Sequence, residues 1–79
     1  MAMLSLKQDF PDIAHEIALA ADSHAALRDA LVDYEHACGR LSDKRTRPDD
    51  RVLWAEIHAE LVAEIRRIFV RLDRKEKVT

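Results

Sequence analysis

One glycine, two prolines, one cysteine and few aromatic side chains (Trp 1, Tyr 1, Phe 2) occur in 79 residues. Each scarcity excludes something. With Gly39 as the sole glycine, no glycine-rich phosphate loop can form. Cys38 has no partner within the chain, so no internal disulfide can support the fold, and a lone thiol suits a reducing compartment. Long apolar runs are also missing. The stretch Ile17 to Ala21 falls far short of the roughly 20 residues a membrane span requires. Met1 to Phe10 carries Lys7 as its only basic side chain and lacks the apolar stretch of a signal peptide. The expectation is a cytoplasmic protein with no membrane contact.

What remains is helix-forming. Charged residues make up 35% of the chain, and alanine, leucine, arginine and glutamate dominate. A chain of 79 residues is one small domain, and its small buried fraction makes stability marginal unless something is added. With disulfides excluded, a structural metal or oligomerisation is left to consider. The net charge of −2 argues against a general nucleic-acid binder, leaving a protein partner or a second copy. Charge is unevenly spread. Residues 1–41 carry three basic and seven acidic side chains, whereas residues 42–79 carry ten and eight.

Apolar or seam positions run Ile13, Ile17, Ala20, His24, Leu27, Leu31, Tyr34, Cys38, Leu41, with steps alternating between four and three. That is a heptad seam, and it predicts a helix from about Phe10 to Leu41. Asp9-Phe10-Pro11-Asp12 marks its start, with proline in the first turn and acids at the positive end of the dipole. Asp22-Ser23-His24 is the place for a kink or restart, because these side chains compete for backbone hydrogen bonds. Gly39 lies near the end of the pattern, and the polar segment 42–49, with Pro48, reads as a loop. A second helix is expected over about 50–73, with Leu53, Trp54, Ile57, Leu61, Ile65, Ile68, Phe69 and Leu72 on one face and fraying beyond Asp73. Two such helices predict an all-α, antiparallel two-helix hairpin spanning residues 1–79. One helix cannot cover the seam of the other completely, so dimerisation into a four-helix bundle follows.

Candidate chemistry is sparse. Asp12-x-x-His15 and Asp33-x-x-His36 place a carboxylate and an imidazole one turn apart, but helical phase points His15, Asp29, Asp33 and His36 away from the seam, as solvated residues. His24 and His58 lie toward the seam at different levels, His24 near Phe69 and His58 near Glu35. Only a second chain could bring them together. Glu56, Glu60 and Glu64 repeat at every fourth residue and form an acidic strip relieved by Arg67 and Arg71. Arg66, Arg67, Arg71, Arg74, Lys75 and Lys77 suit the negative end of a helix dipole, which accounts for them without phosphate binding. Cys38 on the seam is expected to be buried and inert.

The stretch Asp9-Phe10-Pro11-Asp12, with Ile17, Leu27, Leu31 and Asp33-Tyr34, resembles the first half of YdcH-like proteins, short bacterial chains thought to form coiled-coil hairpins. About half the chain is covered, and Trp54 to Leu61 replaces that family's lysine-rich second helix. Ala21-Asp22-Ser23-His24, Leu27-Arg28, Glu60-Leu61 and Ile68-Phe69 also look like parts of a hemerythrin-like domain. In this chain Ser23 splits that family's Asp-His pair, and Glu64 and Ile68 occupy the later ligand positions, so no metal role carries over. The resulting expectation is a non-enzymatic protein interaction module with no catalytic, cofactor or metal residues. Its partner interface is Ile17, His24, Leu27, Leu31, Tyr34, Trp54, Ile57, His58, Leu61, Ile65, Ile68 and Phe69. The alternative is a metal- or cofactor-binding bundle completed by His24, His58 and nearby glutamates at a dimer interface.

Overall fold

The computed structural model describes residues 3–77, with side chains over 5–72. The chain is all-helical: α1 covers Met3–Asp9, α2 Ala14–Ala21, α3 Ala25–Ser42 and α4 Pro48–Lys77. The single helix expected over 10–41 is corrected to two helices, preceded by a third. Backbone chemistry explains both breaks. Pro11 has no N–H to continue α1 and disfavours a helical conformation at Phe10. The Phe10 amide donates to the Leu6 carbonyl at 2.8 Å and closes α1, while the Phe10 carbonyl accepts from Ala14 at 2.9 Å and opens the next helix.

At the second break the last turn of α2 tightens. Asp22 and Ser23 donate to carbonyls three residues back, and His24 adopts an extended conformation. Arg28 then reaches back with Nε on the Ala21 carbonyl and Nη2 on the Asp22 carbonyl, at 3.3 and 2.8 Å. Those carbonyls are the ones a helix end leaves without partners.

A second arginine does the same for α3. From the first turn of α4, Arg51 donates to the carbonyls of Leu41 at 2.6 Å and Asp43 at 2.8 Å. The connection covers residues 43–47, shorter than the expected 42–49. Asp43 Oδ1 accepts the Arg45 amide at 2.9 Å, forming a local turn. Gly39 does not end α3, which continues to Ser42 with no residue at positive φ. The α4 backbone runs past the expected end near residue 73 to Lys77, while the side chains of Arg74, Lys75 and Lys77 lie outside the described residues.

Contacts give the directions of the segments. Tyr34 meets His58, His36 meets Trp54 and Arg51 reaches Leu41, so α3 runs antiparallel to α4. Asp9 meets His58, Phe10 lies under Arg66, and Ala20 borders Phe69 and Leu72, so the chain from Asp9 through α2 runs in the direction of α4. At the α3–α4 register an unbroken helix would have carried Asp9 beyond the end of α4. The break at 22–24 folds the N-terminal segment back instead. Its apolar residues complete the core: Leu6, Phe10, Ala14, Ile17 and Ala21 are buried with Leu27, Ala30, Leu31, Tyr34, Ala37 and Ile65. The 48 Å length of the molecule is about that of α4, a 30-residue helix at ~1.5 Å per residue.

Candidate interaction surface

Two features stand out from this frame: a polar clasp that joins three segments, and a groove beside α4 that the chain does not fill. The clasp begins with Asp9, the last residue of α1. Its Oδ2 accepts a hydrogen bond from the Tyr34 hydroxyl and lies 3.0 Å from His58 Nε2. The Tyr34 and His58 rings stack with centroids 5.3 Å apart. Burial, and then the hydrogen bond to Asp9, push the Tyr34 phenol well above its usual range, so it keeps its proton and acts as a donor. Both donors converge on one carboxylate oxygen. The chemistry of this arrangement is to tie α1 to α3 and α4.

The groove, of about 650 Å³, lies between α3 and α4. Its floor is Trp54, Ile57 and Leu61, all half-buried. Asp33 and His36 of α3 and Glu60, Glu64 and Arg67 of α4 form the rim. Trp54 is held by α3 from two sides. The His36 ring meets it edge-on at 5.1 Å, and the Arg40 guanidinium carbon lies 5.9 Å from the indole centroid. His36 is thus exposed, as its phase implies, yet packed on an aromatic face. Arg67 pairs with Glu64 on the rim. A smaller groove of about 360 Å³ brings Leu19 and Ala20 of α2 and His24 together with Phe69 and Leu72.

The expected partner interface divides in two. The structure places Ile17, Leu27, Leu31, Tyr34 and Ile65 in the chain's own core, where the folded-back N-terminal segment packs with α3 and α4. Trp54, Ile57, His58, Leu61, Ile68 and Phe69 stay half-buried, and His24 is exposed. Leu53, expected on the apolar face, is instead 54% exposed. Cys38, expected to be buried, is half-buried, and Ala37 takes the core position beside it. Ala55, Ala59 and Ala63 are exposed, whereas Ala14 and Ala21 are core residues.

Leu6, Phe10 and the acceptor role of Asp9 were not anticipated. A signal for the first two exists: Leu6, Phe10, Ile13 and Ile17 continue the four-three spacing towards the N-terminus. Nothing local announces Asp9, whose partners are 25 and 49 residues away. Among the described residues, no group of three or more His, Cys, Asp or Glu side chains is placed to hold a metal ion, and no helix is long and apolar enough to cross a membrane. No family model, curated protein or solved structure matches the chain.

Proposed function

We propose that this protein is a non-enzymatic, cytoplasmic protein–protein interaction module that self-associates, its α3–α4 faces meeting those of a second copy in a four-helix arrangement. The YdcH-like resemblance points to the same architectural class. The observation that carries the reading is the groove, where Trp54, Ile57 and Leu61 stay half-exposed side by side while Leu27, Leu31, Tyr34 and Ile65 of the same seam are buried. A tryptophan packed by His36 and Arg40 on an apolar floor with a charged rim is the composition of an interface hot spot. The metal-binding alternative has no comparable support. His58 Nε2 is engaged by Asp9, and His24 borders the other groove.

The test is solution mass by light-scattering chromatography, with metal content read on the same peak. A metal-free dimer is expected, and Trp54→Ala should shift it towards monomer while leaving helicity unchanged. A monomeric wild type at all accessible concentrations refutes self-association. Stoichiometric metal refutes the reading as a whole.

A further inference from the structure

The charges of α4 are unevenly placed along its length. Asp49, Asp50, Glu56 and Glu60 are exposed in its first half, where Arg51 is turned to the end of α3, and Arg66, Arg67 and Arg71 are exposed in its second together with Glu64. A parallel pair of such helices would stack like charge on like charge. An antiparallel pair would set the acids of one end, Asp50 and Glu56, against the bases of the other, Arg71 and Arg67, as complementary interfaces require.

Helical phase sharpens this. At ~100° per residue, Asp50, Leu53, Ile57, Leu61, Ile68 and Arg71 share one arc, which is the groove floor extended in both directions. Counted from Leu61, this arc is a near-palindrome with inverted charge. Leu53 lies eight residues before and Ile68 seven after; Asp50 lies eleven before and Arg71 ten after. On the flank of the arc Glu56 lies five before and Arg67 six after. Each mismatch is one residue, a shift of ~1.5 Å that a side chain absorbs. Leu53 is 54% exposed and lies outside the core cluster, so its apolar surface is available to a partner.

We infer that the groove is occupied by α4 of a second copy, antiparallel to the first, with the two-fold axis at Leu61. Leu53 then covers the second copy's Ile68, Glu56 meets its Arg67, and Asp50 meets its Arg71, each contact occurring twice. Arg67 is already held on the rim by Glu64, so the cation stands at the groove edge before association. This inference rests on the self-association proposed above and adds the surface, the direction and the register.

The experiment is a charge exchange read by sedimentation equilibrium, with circular dichroism as the control for folding. Glu56→Arg or Arg67→Glu alone replaces two attractive pairs per dimer with two repulsive ones, and the dimer Kd should rise roughly tenfold. In an equimolar mixture of the two variants every exchanged charge meets its opposite, and dimerisation should return as a heterodimer. Leu53→Asp should also dissociate the dimer at unchanged helicity. If the wild type is dimeric but the single variants dimerise normally, or the mixture fails to recover, this register is wrong while self-association stands. A monomeric wild type overturns both.

Discussion

The N-terminal three helices and α4 use their apolar residues in opposite ways. α1 to α3 and the Phe10 junction supply every fully buried hydrophobic residue described except Ile65, whereas α4 is the longest helix and supplies only that one. The difference is geometric. Short helices joined by breaks can turn several faces towards one centre, but a straight 30-residue helix offers that centre a single stripe. Of its other apolar side chains, Leu61, Val62, Ile68, Phe69 and Leu72 pack at the core's edge, and Val52, Leu53 and Val70 are exposed. A helix that is covered on one side only is a surface on the other.

The strongest way to break this comparison is to substitute one residue from each region. Phe10→Ala should cost ~3–5 kcal/mol in urea unfolding, while Leu53→Ala at an exposed position should stay within about 0.5 kcal/mol. Equal costs would mean that the N-terminal segment is not part of the core. Asp9→Ala comes next. It strips the acceptor from the buried Tyr34 hydroxyl and from His58 together, and a loss of ~1–3 kcal/mol is expected. If Asp9→Ala unfolds at the wild-type urea concentration, the clasp contributes nothing.

Alkaline pH probes the same clasp more gently. The Tyr34 phenol is raised in the folded state, so the folded protein holds a proton that the unfolded chain, titrating near ~10, has lost. That contribution is fully present below about pH 10 and declines as pH rises further. Unfolding free energies of wild type and Tyr34→Phe should therefore converge above that value; parallel curves would contradict a raised phenol. A small effect of opposite sign is expected at Gly39, which sits inside α3 with open space where a Cβ would be. Gly39→Ala should stabilise the protein by ~0.5–1 kcal/mol, and destabilisation would show that the position is needed for something other than helix.

Much of the secondary structure was legible. Pro11, Asp22-Ser23-His24 and Pro48 are local signals, and each marks a helix boundary because its cause, a missing N–H or a competing side chain, acts within a few residues. The seam from Leu27 to Tyr34 was equally plain, since its period is a property of the helix that carries it. The clasp and the covering of Ile17 and Ile65 were not legible, because they depend on where a break sends the chain.

Sequence alone therefore determined that this protein is helical, that helices begin or break at 9–12, at 22–24 and over 42–49, and that Leu27, Leu31 and Tyr34 share a stripe. All three follow from dihedral preference, hydrogen-bond supply and the 3.6-residue period. Only the tertiary structure decided what covers each stripe. Whether the chain at 22–24 continues straight or folds back changes no local property, yet it moves Asp9 from beyond the end of α4 onto His58. It also turns five of the twelve expected interface residues into the protein's own core, leaving the groove at Trp54, Ile57 and Leu61 as the apolar floor between α3 and α4 still open to another chain.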